Sequence, residues 1–458
     1  MSRTRFHIVG IGGMGMSAVA RLLMARGDTV SGSDKGEWPL AAALAADGAT
    51  VATAFAAKNV AGADVVVRSS AYGDANPEIA AARAAGIPVW KREDAWRELG
   101  RGKRVLAVAG THGKSTTTAL AWTALRAGGL DPSLICGAVL RDLGTNAYAG
   151  RGDILVIEAD EYDRAFLSLE PEIAIVTNIE HDHIDVFPTH DDVKQAFVRF
   201  ASGIVRGGWL VACADDPGAA ALAARGNDDL AGRQVVTYGT APEAGYRVVE
   251  LVQRADGVSF DLVGPFVSPI PVSLRLAGAH NARNAAGVLA AADALGIPAA
   301  AAAKSFATFN GTERRLEELG SARGITVIDD YAHHPTEIRA SIDAVRARTK
   351  GRVIVLFQPH TPSRLRAFFD DFASALRTAD DRVVAETFAS AREAADSRAG
   401  AKELAARAGG TYVVDAEAAA RVLVERARPG DLVLVLGAGD IRPAGVRLLE
   451  LLRERATV

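Results

Sequence analysis

Val105-Leu106-Ala107-Val108-Ala109-Gly110-Thr111-His112-Gly113-Lys114-Ser115-Thr116 is an apolar run that breaks at a glycine turn and reopens on helix-forming residues. That order of strand, turn and helix is the order of a phosphate loop. Backbone amides of the turn can surround β- and γ-phosphates, the Lys114 ammonium can bridge them, and the Ser115 hydroxyl can give one oxygen to Mg2+. The strict GxxxxGK[ST] spacing is not met, because Val108 stands where its first glycine belongs and Gly110 comes later. The reading is an ATP site built from Gly110, Thr111, His112, Gly113, Lys114, Ser115 and Thr116, with an incidental loop as the alternative.

Upstream of this stretch, the chain opens on a strand that runs into Gly10-Ile11-Gly12-Gly13-Met14-Gly15. A helix over about 17–26 and a second strand over 29–33 follow, the latter ending at Asp34. Gly10, Gly12, Gly13 and Gly15 let a diphosphate approach a helix N-terminus, and Asp34 can bond a ribose hydroxyl. The motif alone leaves three readings open: a pyridine dinucleotide, another nucleotide, or packing. Strands near 49–51, 64–68 and 87–89 alternate with alanine-rich helices, so this block continues as a parallel α/β unit. Downstream, strands at 153–158, 173–178 and 208–213 extend the second unit, with a β-alternating insertion at 245–276. Strands at 325–329, 352–357, 382–386, 411–414 and 431–436 build a third. The run Ala299–Ala303, after Pro298, reads as helix.

The expected fold is therefore α/β in three domains: an N-terminal Rossmann-like domain over residues 1–99, a central phosphate-loop ATPase-like domain with a mostly parallel sheet over 100–313, and a C-terminal Rossmann-like domain over 314–458. A chain of 458 residues, nearly half apolar, is too long for one core. With 52 Lys plus Arg against 55 Asp plus Glu, the net charge of −3 argues against adhesion to nucleic acid or to an anionic membrane. The two cysteines, Cys136 and Cys213, have neither zinc spacing nor an even disulfide framework. Without a signal-like or spanning apolar segment, the expected location is cytoplasmic, and the expected state a monomer or weak dimer.

Further donors sit at strand ends. Glu158 opens Glu158-Ala159-Asp160-Glu161, and His183 lies in Asn178-Ile179-Glu180-His181-Asp182-His183, with His181 as its rival. In an α/β sheet such ends lie beside the phosphate loop, where carboxylate and imidazole can hold Mg2+ or orient a reacting carboxylate. Asn281 and Asn284 share one helical face and can read the edge of a base. Asp329-Asp330-Tyr331-Ala332-His333-His334-Pro335 ends the first strand of the third block. Taken alone, the Asn pair also reads as helix caps and the His pair as a turn.

The series AGTHGKST, EADE, TNIEHDHID, GAHNARNA and DDYAHHPTE, in this order, resembles the Mur ligase family over essentially the whole chain. The resemblance implies an ATP-dependent acid–amino-acid ligase of peptidoglycan precursor synthesis. Such an enzyme would form an amide between the lactyl carboxylate of UDP-N-acetylmuramate and L-alanine through an acyl phosphate, with ATP and Mg2+. It implies that Gly10 to Gly15, with Ser69 and Ser70, hold the UDP diphosphate rather than NAD. Lys114 and Ser115 would hold ATP phosphates and Mg2+, and Glu158 and His183 would be metal ligands. Asn281 and Asn284 would bind adenine, with Arg314 or Arg315 and Asp330 also reaching ATP. His333 would lie near the incoming amino acid or ATP, and His360 and Arg364 near substrate. Two departures stand out: Thr361 replaces the basic residue that commonly follows His360 in the family, and EADEYD replaces the commoner EADESD, as in the ligase that recycles a muramyl tripeptide. Rival readings are that recycling ligase, an NAD-dependent oxidoreductase using the first glycine turn, and a non-catalytic ATP-binding regulator.

Overall fold

The computed structural model describes residues 3–225, 230–388 and 400–454, so the outermost ends of the expected first and third domains lie outside the described residues. Three sheets form, in chain order. The first holds β1 (Arg5–Val9), β2 (Thr29–Ser33), β3 (Thr50–Ala52), β4 (Val65–Arg68) and β5 (Val89–Lys91). It is wholly parallel in the order β3-β2-β1-β4-β5. The order reverses direction between β1 and β4, so the loops leaving these two strands part and open a crevice at their carboxyl ends. Gly10 to Gly13 occupy one loop, with Gly15 in the first turn of the helix that follows, and Ser69 and Ser70 the other.

The second sheet holds β6 (Arg104–Ala109), β7 (Ser133–Leu140), β8 (Thr145–Tyr148), β9 (Ile154–Glu158), β10 (Ile173–Val176), β11 (Trp209–Cys213), β12 (Gln234–Gly239), β13 (Tyr246–Arg254), β14 (Gly257–Val263) and β15 (Ile270–Leu274). Their order is β15-β14-β13-β12-β11-β10-β6-β9-β7-β8. The centre is parallel, β8 pairs antiparallel with β7, and β13 to β15 form the expected antiparallel insertion. β6 lies between β10 and β9, so the phosphate loop is flanked by the loops that carry Asn178–His183 and Glu158–Glu161. The third sheet holds β16 (Glu317–Ala322), β17 (Ile325–Asp330), β18 (Val353–Phe357), β19 (Asp381–Ala385), β20 (Thr411–Val413) and β21 (Leu432–Leu436), in the order β16-β17-β21-β18-β19-β20. All its pairs are parallel except the edge pair β16–β17.

β7, β8, β12 and β16 are strands the sequence reading did not foresee. β7 carries Gly137 in its middle, and β16 reads Glu-Glu-Leu-Gly-Ser-Ala on a half-exposed edge, so neither shows a β-branched run. β5 starts at Val89, two residues later than the sequence suggests. Pro88 lends a carbonyl to Val66 but has no N–H to continue the ladder.

The joints between the three units differ in kind. One continuous apolar cluster runs from Phe6 and Ile8 in the first unit to Leu106 and Phe166 in the second. The helix Met14–Arg26 seats on the β7–β8 pair, where the Asn146 side-chain amide donates to the Met14 carbonyl at 2.6 Å. The third unit packs its own cores on the two faces of its sheet and meets the second through polar side chains.

Phe166 pins the acidic loop to this framework. It is fully buried, stacked on Phe200 with ring centres 4.8 Å apart and edge-on to Phe197, while its N–H bonds the Asp160 carbonyl. Phe166→Ala is expected to destabilise the second unit by about 3–5 kcal/mol, read as a shifted midpoint of its transition in denaturant.

Candidate active site

β6 delivers the chain to Gly110, whose φ of +137° is a glycine conformation, and a Cβ there would lie 2.0 Å from the Thr177 hydroxyl. Gly110 is therefore fixed by close approach of the neighbouring loop, which accounts for a glycine here although Val108 departs from the strict motif. Gly113, at φ +81°, caps the helix Lys114–Ala127. Next to it lies the Asn284 side chain, 3.2 Å from where a Cβ would project. Thr111 and His112 are tied to the loop after β10: the Thr111 hydroxyl bonds Glu180 backbone and the His112 N–H donates to the Asn178 side chain at 2.7 Å.

The Lys114 ammonium donates to the carbonyls of Gly110 and Thr111 at 2.6 and 3.1 Å and lies 2.8 Å from the Glu161 carboxylate. Burial opposes this charge, but Glu161, Asp160 and Glu158 outweigh burial and hold the ammonium above its ordinary range. The Ser115 hydroxyl donates to Glu158 Oε1 at 3.0 Å, and the Gly137 N–H donates to Glu158 Oε2 at 2.6 Å. A Cβ on Gly137 would stand 2.5 Å from that carboxylate, so Gly137 leaves the space Glu158 occupies.

Of the three residues predicted to hold metal, Ser115 and Glu158 are thus in direct contact. His183, in the left-handed region at φ +51°, instead faces Glu161 at 3.5 Å and groups with Asp160 and Glu161 as possible ligands. Glu161 and Asp160 are the residues the sequence reading missed, although both stand in the quoted EADE string. Their acidity so close to the loop lysine was the available signal. Asp160 is held down to about 2: burial would raise it, but Arg92, Lys114 and His183 prevail. Arg92, also unforeseen, pairs with Asp160 at 2.9 Å, stacks over Trp96 and abuts Gly15. It links the first glycine turn to the acidic loop that lies beside Lys114.

In the first unit, a Cβ on Gly10 would meet the Tyr72 ring at 2.9 Å and Ser69 at 3.0 Å, so that turn is closely packed. Ser69 and Ser70 lie beside it in the loop after β4. Asp34 is buried and holds the turn itself, accepting from the Gly12 N–H at 2.9 Å and the Tyr72 hydroxyl at 3.1 Å. Its carboxylate therefore orders the glycine turn, beside which it stands.

Two cavities meet at the phosphate loop. One, of about 620 Å³, is bounded by His112, Gly113, Thr116, Asn281, Asn284 and Asp330, with Arg315 at its edge. There Asn281 donates to the Ala277 carbonyl and Asn284 to the Asn281 side chain, which leaves the Asn284 oxygen available. Burial pushes Asp330 up to about 6, although it accepts the N–H groups of Leu316 and Ala332. The other, of about 590 Å³, is bounded by Lys114, Glu158, His183, His333, His360 and Arg364. Arg315 borders both cavities, whereas the Arg314 guanidinium, also at the second, is engaged by Asp329 and the Gly437 carbonyl. Arg364 forks onto Asp182 at 2.8 and 3.1 Å, with both side chains buried. His360 stacks on Phe388, and Thr361 takes a φ of +66° beside it.

This arrangement of three α/β units around one phosphate loop is that of an ATP-dependent ligase assembled from separate domains. The chain belongs to the Mur ligase family: the family's catalytic-domain model matches residues 5–104, the Mur ligase middle domain 108–292, and the glutamate ligase domain 314–439. It is similar to a UDP-N-acetylmuramate--L-alanine ligase of Arthrobacter sp., 45% identical over 99% of this chain and 96% of that one. One from Bradyrhizobium sp. is 41% identical over 95% of each. Among solved structures, a UDP-N-acetylmuramate-alanine ligase of Thermotoga maritima is 29% identical, superposes with a TM-score of 0.83 and is covered completely, as is this chain. A murein peptide ligase of Psychrobacter arcticus, 24% identical with a TM-score of 0.74 over 98% of both chains, shares the fold.

Gly137→Ala is expected to lower turnover about 10- to 100-fold with the fold retained, because it displaces the carboxylate that Ser115 contacts; steady-state kinetics beside circular dichroism checks this. A second expectation concerns pH. Burial would depress His112, but Glu337 and Glu180 raise it to about 10. A raised value means the imidazolium contributes fully to stability below about pH 6.5, progressively less as pH climbs, and nothing above about 10. Thermal scans in metal-free buffer should show the parent chain's advantage over His112→Gln shrinking across that window.

Proposed function

We propose that this chain is an ATP-dependent ligase that joins L-alanine to the lactyl carboxylate of UDP-N-acetylmuramate, working in the cytoplasm on a cell-wall precursor. The observation that carries the reading is the single cavity in which Lys114, Glu158 and His183 of the second unit face His333, His360 and Arg364 of the third, with Gly15 of the first at its rim. A phosphoryl donor, an anionic acid and an amino acid can meet there. Relatives 41–45% identical over nearly the whole chain carry this activity in their names, which supports the same substrates here.

The chemistry takes two displacements. A lactyl carboxylate oxygen attacks the γ-phosphorus of ATP and ADP leaves; the alanine amine then attacks the acyl carbon to form the C–N bond, the C–O bond to the phosphoryl oxygen breaks, inorganic phosphate leaves carrying the former carboxylate oxygen, and the nitrogen gives up a proton. Neither step requires a nucleophile from the protein, so the chain's task is alignment and charge balance. Lys114 is placed to move from Glu161 to the phosphates. Ser115 and Glu158, with the Asp160–Glu161–His183 group, suit a hard divalent ion by their oxygen donors. Mg2+ bound there would supply neutralisation of the transferring phosphoryl. The Asn281–Asn284 pair and Arg315 border the cavity suited to the adenosine side.

His333 is ready for the amine. Its Nδ1 faces the Tyr331 carbonyl at 3.0 Å, an acceptor only, so the proton sits on Nδ1 and Nε2 carries the lone pair. Burial depresses its pKa to about 3, which keeps the ring neutral at working pH.

The test is phosphate release by purified protein with Mg2+, ATP and UDP-N-acetylmuramate, with and without L-alanine. Release that needs both acid and amine is expected, and Lys114→Ala should lose it while remaining folded. Release with a muramyl tripeptide but not with alanine would reassign the chain to the recycling ligase, and normal turnover of Lys114→Ala would remove the phosphate loop from the mechanism.

A further inference from the structure

A second cluster of ligand-type side chains lies on the other side of the phosphate loop, between the second and third units. His112 comes from the loop itself, Glu180 from the loop after β10, and His334 from the turn after β17, where it caps the helix Pro335–Arg346. One ligand atom from each lies within 4.8 Å of the others. His112 Nε2 is 3.6 Å from Glu180 Oε2, and His334 Nδ1 is 3.8 Å from the same oxygen. Ligands bound tetrahedrally at about 2.0–2.1 Å stand about 3.4 Å apart, so these separations need shrink little around a central ion.

The orientation of each ring suits that ion. Glu337 Oε1 lies 3.3 Å from His112 Nδ1, so a proton held on Nδ1 leaves Nε2 turned toward Glu180; this is how a carboxylate commonly fixes a metal-binding imidazole. His112 Nε2 is buried and has no hydrogen-bond partner among the described residues. His334 is 4% exposed, and its Nδ1 lone pair accepts only the long 3.4 Å N–H of Thr336. Glu180 Oε2 is held in place by the Thr336 hydroxyl at 2.7 Å. The rings of His112 and His334 lie 4.6 Å apart, leaving both edges on the same oxygen.

We propose that His112, Glu180 and His334 form a binding site for a zinc-type divalent ion, separate from the oxygen-rich Asp160–Glu161–His183 group, and that an ion there fastens the third unit to the phosphate loop. Two imidazoles and one carboxylate favour Zn2+ or Co2+ over Mg2+, which takes oxygen ligands and keeps its water. Without an ion, His112 lies between Glu337 on its Nδ1 side and Glu180 on its Nε2 side; binding a metal releases whatever proton Nε2 carries. Because His112 lies in the loop that would embrace the triphosphate, an occupied site opposes the loop's use in turnover.

The experiment titrates the chelator-stripped full chain with Zn2+ against a chromophoric indicator in excess Mg2+, which fills the hard-oxygen site, and follows thermal unfolding in parallel. One Zn2+ per chain in the micromolar range is expected, with a raised unfolding temperature. His334→Ala and Glu180→Gln, from different units, should each weaken binding at least about tenfold, and Glu337→Gln about tenfold through the His112 ring, while His183→Ala binds as the parent does. Circular dichroism establishes that each variant is folded, and the two ligand variants test the site independently. Absence of micromolar binding, binding undiminished in both His334→Ala and Glu180→Gln, or binding lost in His183→Ala would each overturn the assignment. No substrate is added, so the result stands apart from the proposed ligase activity.

Discussion

The contact between the Lys114 ammonium and the Glu161 carboxylate sets the terms for the rest of the site. A lysine taken out of water without a partner would lose its proton, and a neutral amine could not bridge phosphates. Here Glu161 is buried beside it, with Asp160 and Glu158 adding to the field. The loop is thereby kept charged before any nucleotide arrives. The same carboxylates leave the site rich in negative charge, which only a cation can offset once a triphosphate takes over Lys114. The resting arrangement therefore suits the divalent ion proposed for the site.

That arrangement depends on strand order. β6 could supply a phosphate loop beside any neighbours, but with β9 on one side and β10 on the other it receives an acidic loop and an imidazole-bearing loop at the same height. The polar contacts between units are of unequal weight. Lys91–Asp163, between the first and second units, is half exposed and, like most surface pairs, is worth about 0–1 kcal/mol. Arg364–Asp182 is buried on both sides and bidentate, so removing either partner would strand a charge and cost about 3–5 kcal/mol. The polar joint therefore turns on few residues, whereas the first unit shares an apolar core with the second.

Much of this was legible in the sequence, and the failures have physical causes. The strand, turn and helix around Gly110 and Lys114 announce themselves because turn chemistry is local. β6, Arg104–Ala109, covers the apolar run that leads into the glycine turn, and the helix at Ala299–Ala303 also forms where propensity places it. What escaped depends on partners far along the chain. Gly137 looks like an interruption until Glu158 is seen to need its space. The hold of Asp34 on the Gly12 N–H and the Tyr72 hydroxyl, 22 and 38 residues away, is likewise not written in the local sequence. Choosing among Glu158, Asp160 and Glu161 requires knowing which carboxylate faces Lys114, and three acids within four residues of an irregular loop do not declare their directions.

The polar joint also explains why two His residues of one dipeptide behave differently. His333 and His334 are adjacent in an extended turn and point to opposite sides of the phosphate loop, one into the cavity with Arg364, the other toward His112 and Glu180. Burial lowers both, to about 3 and about 4, so both are neutral at working pH and each offers a lone pair. His112, a few ångströms away, is pulled the other way because Glu337 and Glu180 face it together. Glu337 serves both sides, taking the His333 N–H at 2.9 Å and lying against the His112 ring. A displacement of the helix that begins at Pro335 must then disturb His333 and the phosphate loop at once, so the third unit's position is coupled to both cavities through one carboxylate.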